Sequence, residues 1–292
     1  MSIFKSVISS TAVSSVLAAS TILGVGAASA ADLPMYTKAA PVVAPVINWT
    51  GFYIGGNVGG EWGRFRDPVS TAGTTAFGIV APAETIPLSS NNSSFTGGGQ
   101  IGYRWQTPSR WVLGVEGDFN WVDLHNTQTL TAAALSPANV TFVPGDTFSV
   151  KTNWQASIRG SVGYTWDRLL GYVTGGVAFA DVRANSNFIP TVAARIAFPG
   201  TIGSDTKTLI GGTVGAGFAY SVSRNWDIGA EYRYTRYEGA DFGQGQVAAI
   251  AAGPGGPFAF VPATTHVDLQ THQVLLKANY RFDWAGPAVA RY

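Results

Sequence analysis

The sequence contains no cysteine and few charged residues. Without cysteine the chain forms no disulfide, and it lacks the strongest ligands for a metal ion. Charged residues make up 12% of the 292 residues, about half of the roughly 25% that is usual in soluble domains. A formal net charge of +1 argues against nucleic acid as a partner. No run of 18 apolar residues occurs, so no membrane-spanning helix is predicted.

The first 30 residues have the pattern of a signal peptide. Lys5 precedes an apolar stretch, and Ala28 to Ala30 form a small-x-small cleavage site. We therefore expect export of the chain and cleavage after Ala30. Residues 31–48 are rich in Pro and Ala and have no apolar period, which favours an extended tether ahead of the folded domain.

Apolar and polar residues alternate along eight segments of the chain. In Val150–Trp166, for example, every second residue from Val150 is apolar or small, and most of those between are polar. A period of two is typical of a β-strand with one apolar face. The eight predicted strands are 49–63, 94–105, 110–121, 150–166, 169–182, 208–222, 226–237 and 272–282.

The connections between these segments alternate between short and long. Few residues join the second strand to the third, the fourth to the fifth and the sixth to the seventh, whereas the intervening loops cover about 64–93, 124–147, 184–206 and 239–265. Bacterial transmembrane barrels have this asymmetry. The sequence predicts an all-β fold: an eight-stranded antiparallel up-and-down transmembrane β-barrel over 49–284. It has short periplasmic turns, four long extracellular loops and a tail at 285–292.

The positions of tryptophan indicate which face of the strands meets the surroundings. Six of the nine tryptophans fall beside the entry to the first strand, the short turns or the exit from the last strand: Trp49, Trp105, Trp111, Trp166, Trp226 and Trp284. Aromatic girdles of this kind lie at lipid–water interfaces. Trp62, Trp121 and Tyr234 fall near the opposite level. We therefore expect the apolar faces, including Val150 and Ile158, to contact outer-membrane lipids.

The polar faces would then line a barrel just wide enough for side chains to fill it. Buried charges have to pair, so we expect a lumen charge network with at most a narrow passage. Its predicted members are Glu61, Arg104, Glu116, Asp118, Lys151, Arg159, Glu231, Arg233, Lys277 and Arg281, with Asp227 on the same face.

The sequence offers little for catalysis or for a cofactor. His125, His266 and His272 are the only histidines, all near the loop end, and no motif places them with a nucleophile as a triad. Metal-ligand spacing is also absent. We expect no enzymatic activity and no cofactor, although haem contact through these histidines stays open.

The opening "WTGFYIGGNVGGEWG", the preceding "ADLP…APV" and the closing "LLKANYRFDW" resemble the small outer-membrane β-barrel proteins of alphaproteobacteria, the porin-family or outer-membrane immunogenic proteins. The resemblance covers essentially the whole chain. It implies a surface-exposed barrel in the outer membrane of a Gram-negative cell, and generally no enzymatic activity. It also implies recognition by the outer-membrane assembly machinery through a terminal aromatic residue, either Phe282 or Tyr292.

Three functions are compatible with this reading. The first is a structural, surface-exposed outer-membrane protein. A porin-type channel for small solutes is the second. The third is binding by the long loops, for adhesion, haem or host contact, since loops on a rigid scaffold carry recognition. Self-association is also possible in each case.

Overall fold

The computed structural model describes residues 47–73, 83–131, 142, 144–188, 202–250 and 258–282. The predicted signal peptide, most of the tether, Trp284, Tyr292 and the predicted tail lie outside the described residues. Eleven β-strands are present in the described part: β1 (Gly51–Arg66), β2 (Val69–Thr71), β3 (Glu84–Ile86), β4 (Ser89–Gln106), β5 (Trp111–Thr129), β6 (Thr147–Trp166), β7 (Leu169–Asn187), β8 (Gly203–Ser221), β9 (Trp226–Tyr237), β10 (Ala240–Ile250) and β11 (Phe258–Arg281).

Eight of these strands form a closed ring. Their order is β1, β4, β5, β6, β7, β8, β9 and β11, each neighbour is antiparallel, and β11 pairs back onto β1. Because spatial order follows chain order, the fold is an up-and-down β-barrel, and the predicted eight-stranded class is confirmed. The described part of the chain holds no apolar helix of membrane-spanning length.

The strands are longer than the alternating segments predict. Strand β7 continues to Asn187 and β11 begins at Phe258, so both reach into segments that we expected to be irregular loops. β2 and β3 form a small hairpin that pairs with the upper part of β11, and β10 pairs with the same strand from the other side. The loop end of the barrel therefore carries additional sheet, and the predicted loop boundaries were too wide.

Inside the barrel, polar and apolar layers succeed one another. Near the short turns Trp49 packs with Val112, Leu170 and Ala219. Charged and amide side chains fill the next part of the interior. Toward the loops the interior becomes apolar, with a cluster of Phe65, Val122, Leu124, Val150, Ala178, Ala180, Val182, Ala184, Leu209, Tyr237, Phe242, Val267 and Leu269.

Candidate functional site

The outer face of the barrel carries a continuous apolar band, which is the first part of the candidate site. Its large side chains are about half exposed, as at Trp111 (50%), Val115 (61%) and Trp121 (66%). On three strands the band runs over eleven residues, Phe95–Trp105 in β4, Trp111–Trp121 in β5 and Ile210–Tyr220 in β8. A tilted strand of about 9–11 residues crosses the hydrocarbon part of a bilayer. Exposed apolar surface of this extent marks a membrane-contacting face.

Aromatic side chains bound the band at the turn end. Trp105, Trp111, Trp166 and Trp226 are all at least half exposed there. The rings of Trp111 and Tyr164 lie 5.5 Å apart, and those of Tyr164 and Trp166 lie 5.1 Å apart. These four predicted girdle residues point outward at one level.

Trp49 does not belong to this girdle, and that prediction was wrong. Its side chain is fully buried, and its backbone N–H donates to Oε1 of Gln106 at 2.8 Å. The guanidinium groups of Arg104 and Arg281 lie 5.7 and 5.0 Å from the centre of its ring. Because Trp49 packs against Val112, Leu170 and Ala219, it closes the turn end of the interior, and cation–π attraction holds the two arginines against it.

Directly above Trp49 lies an ion-pair network in the barrel interior. Arg159 is its centre, since its guanidinium contacts carboxylates of Glu116 at 2.5 Å, Asp118 at 2.9 Å and Glu231 at 2.5 Å. These carboxylates come from β5 and β9, on either side of the ring. The other bridges of the network are Arg104–Asp227, Arg233–Asp118, Arg233–Glu231, Lys277–Glu116 and Lys277–Glu231.

The network is electrically balanced, with four carboxylates and four cations. Its members are Glu116, Asp118, Asp227 and Glu231 with Arg104, Arg159, Arg233 and Lys277, and all are buried. Two tyrosines complete it: Tyr53 donates to Glu116 at 2.8 Å and Tyr172 donates to Glu231 at 3.0 Å. Such a buried network holds its ionised form only when each group has partners.

Seven of the ten predicted network residues therefore come together. Glu61 lies in the next layer toward the loops, where it accepts hydrogen bonds from Gln155 at 2.6 Å and Gln273 at 2.7 Å. Arg281 lies below the network, against Trp49, and donates to the backbone carbonyl of Arg224 at 2.8 Å.

Lys151 is the one predicted network residue that does not lie inside the barrel, and its assignment to the interior was wrong. Its ammonium group lies on the outer surface, 3.6 Å from the carboxylate of Asp123, and its side chain is 47% exposed. Val150, which we expected to face outward, is 2% exposed inside the barrel. The cause is an irregularity in β6, where the pairing with β7 shifts between Thr152 and Gln155. This shift exchanges the faces of every residue beyond it.

Sequence reasoning missed Tyr172, and it placed amide side chains on the inward face without including them among the network residues. The inward face of β7 consists mostly of small residues, so its single tyrosine carried no alternating signal. Gln100 illustrates the amide contribution, because it accepts from Asn57 and donates to Asn279, both at 2.8 Å. A cavity beside Tyr53, Arg104 and Tyr172 has a volume of about 10 Å³. That is room for roughly one water molecule.

The barrel reverses its polarity at the upper edge of the band. Below that edge apolar side chains face out and ions lie inside, whereas above it the outer positions are polar and the interior is apolar. Strand β1 illustrates the change: Trp62 is exposed inside the band, Arg64 is exposed above it and Phe65 is buried. A surrounding that is apolar over one belt and aqueous above it explains both arrangements.

Comparison with known proteins identifies related outer-membrane proteins. The family model for the outer membrane protein beta-barrel domain matches residues 16–282. The 31 kDa outer-membrane immunogenic protein of Brucella melitensis biotype 1 is 34% identical over 211 residues, which cover 71% of this chain and 80% of that protein. The 22 kDa outer membrane protein of Rhizobium leguminosarum bv. viciae is 30% identical over 202 residues, covering 68% and 70%. Among solved structures, the outer membrane protease OmpT from Escherichia coli aligns with 82% of this chain and 99% of its own, at 9% identity and a TM-score of 0.46.

Proposed function

The chain belongs to the outer membrane protein β-barrel domain family, and on that premise we propose that it is a sealed, non-conducting barrel whose role is structural and surface-exposed. It is a protein of the Gram-negative outer membrane.

The filled interior is the observation that carries this proposal. The balanced ion-pair network occupies the lower part, and Phe65, Leu124 and Leu269 are completely buried in the apolar cluster above it. An ion crossing the barrel would have to break bridges in the first layer and enter a low-dielectric core in the second. The second barrier is the greater, because desolvating an ion in an apolar environment costs many kcal/mol.

Planar-bilayer recording tests this proposal. We expect purified, folded protein to produce no discrete conductance steps under an applied voltage. A mock preparation from cells that lack the protein, recorded in parallel, accounts for contaminating porins. Reproducible openings that appear only with the protein would show a conducting lumen and would favour the porin-type alternative.

We also propose that the barrel has no enzymatic activity. His266 contacts Asp241 at 2.7 Å and His272 contacts the Tyr232 hydroxyl at 2.7 Å. No serine or threonine hydroxyl of the described residues donates to a histidine ring, which leaves the nucleophile–base pair of a hydrolase without support. The resemblance to a protease at 9% identity is too distant to bear on activity.

The orientation of β6 gives a prediction about assembly. Ile158 is 63% exposed in the apolar band, whereas the neighbouring Ser157 is buried and donates to Asp118. We expect Ile158→Lys to impair membrane assembly strongly, because a lysine facing the bilayer midplane costs about 2–4 kcal/mol. Ser157→Ala should cost about 1–3 kcal/mol. The measurement is the fraction of membrane-fraction protein whose gel mobility shifts on boiling. Equal folded fractions for the two variants would reverse the assignment of faces.

A further inference from the structure

We propose that Arg64 and Arg236 form a binding site for the phosphate group of an anionic lipid of the outer leaflet. Both side chains are exposed on the outer face of the barrel, just above the apolar band. The proposal rests on the outer-membrane placement of the barrel. It does not depend on whether the lumen conducts.

The strand register brings the two arginines to one level. Arg64 of β1 pairs with Gln270 of β11, and Gln270 pairs with Arg236 of β9. Two strand spacings of about 4.8 Å separate their backbones, roughly 9.6 Å in all. Arginine side chains of this length can converge on one phosphate, which guanidinium groups bind in a bidentate manner.

An aromatic row lies immediately below this pair. Trp62, His272 and Tyr234 occupy the positions next in register toward the band. The rings of Tyr234 and His272 lie 5.0 Å apart. Aromatic residues of this kind mark the boundary between acyl chains and headgroups. The arginines two residues further along each strand are therefore at the level where lipid phosphates lie.

Arg64 and Arg236 make no ion pair with any residue that the structure describes, whereas three other outward cations have side-chain partners. Lys151 lies 3.6 Å from Asp123, Lys207 lies 3.6 Å from Asp205, and Arg183 donates to Thr206 at 3.1 Å. The loop segments 74–82, 132–141, 189–201 and 251–257 contain no Asp or Glu. Two acids lie one step further from the membrane: Asp268 stands opposite Arg66 in the strand register, and Glu238 lies two residues beyond Arg236.

Below the arginines an open apolar groove of about 1050 Å³ runs along the same strands. Its lining includes Val58, Gly97, Phe218, Ile228, Ala230 and Leu276. The backbone does not require glycine at Gly97, because an added Cβ there would meet no atom closer than 3.5 Å. Small side chains leave room for an acyl chain. The positive charges of Arg64 and Arg236 above the groove favour a lipid with an anionic headgroup as the occupant, rather than a second copy of this chain.

Lipid binding by native mass spectrometry tests the site. Folded protein in detergent micelles is titrated with phosphatidic acid and separately with phosphatidylcholine. We expect Arg64→Gln/Arg236→Gln to weaken phosphatidic acid binding about 25-fold, since each basic residue near a membrane surface contributes about a fivefold factor. Arg183→Gln is the matched control, being an exposed arginine on the opposite part of the ring, and should leave binding unchanged. Arg64→Lys/Arg236→Lys keeps the charge but loses the bidentate geometry, so its affinity should fall between those of the wild type and the glutamine variant.

A groove-filling variant and competition by inorganic phosphate distinguish a lipid site from a site for free phosphate. Gly97→Leu fills the groove and should weaken phosphatidic acid binding while the boiling-dependent gel shift persists. Excess inorganic phosphate should displace little lipid, because it lacks acyl chains. The proposal fails if the double glutamine variant binds as the wild type does or if Arg183→Gln loses as much affinity. It also fails if inorganic phosphate displaces the lipid completely, or if phosphatidylcholine binds equally well.

Discussion

Replacing Arg159 with methionine is expected to lower the free energy of unfolding by about 3–5 kcal/mol. Methionine resembles the arginine stem in length and lacks the charge. The loss is large because the change leaves buried carboxylates without the cation that they share, rather than because one favourable bridge disappears.

The position of Arg159 at the centre of the network gives the physical reason. Its side chain is 1% exposed and contacts three carboxylates. Without it, three cations remain for four carboxylates, and Glu116, Asp118 and Glu231 repel one another in a low-dielectric interior. Removing one partner of a buried pair is more costly than replacing both partners by apolar groups.

Chemical unfolding in lipid vesicles, followed by tryptophan fluorescence, measures the change. Arg183→Met is the control, since Arg183 is exposed and should contribute less than about 1 kcal/mol. Adding Glu231→Gln to the Arg159 variant should recover part of the loss by restoring the charge balance. A stability loss no larger than that of the control would show that the network is not a determinant of stability.

The eight strands of the ring, their order and the outward band could be predicted from the sequence, because all three depend on a period of two. Over Trp111–Trp121, for instance, outward and inward residues alternate without interruption. The network could be anticipated for the same reason: an apolar outer face forces charged residues of the opposite face into one small interior.

Two kinds of feature could not be predicted: those that a one-residue shift in strand register decides, and those that packing between distant parts of the chain decides. The shift near Asn153 exchanges the faces of Val150 and Lys151, and no local pattern distinguishes an extra residue from ordinary alternation. Trp49 was assigned by proximity to a turn, but its packing against Val112 and Leu170 inside the barrel decides where its ring lies. The apolar interior near the loops was also not predicted. Apolar and polar residues alternate in the same way whether the outer face of a strand meets lipid or water, so the pattern does not show which face lies inside.

Gly211→Ala is expected to be strongly destabilising, with a loss of about 3 kcal/mol in the free energy of unfolding. Gly211 lies on the inward face of β8, where an added Cβ would be 2.3 Å from the carbonyl oxygen of Arg236 and 2.7 Å from the Cα of Tyr237. Both atoms belong to the backbone of β9, which no side-chain rotation can move away. The two strands would have to separate, and their hydrogen bonds would lengthen along the ladder.

The adjacent Gly212 supplies the matched control. It points outward from the same strand, and an added Cβ there would meet nothing within 4 Å. Gly212→Ala should therefore be neutral or stabilising by about 0.4–1 kcal/mol, since alanine has fewer conformations to lose on folding. The two variants have the same composition, so a difference in unfolding free energy or in folded yield reports only the face on which the methyl group stands. Equal stability of the two variants would mean that β8 and β9 leave enough room for a methyl group on the inward face at position 211.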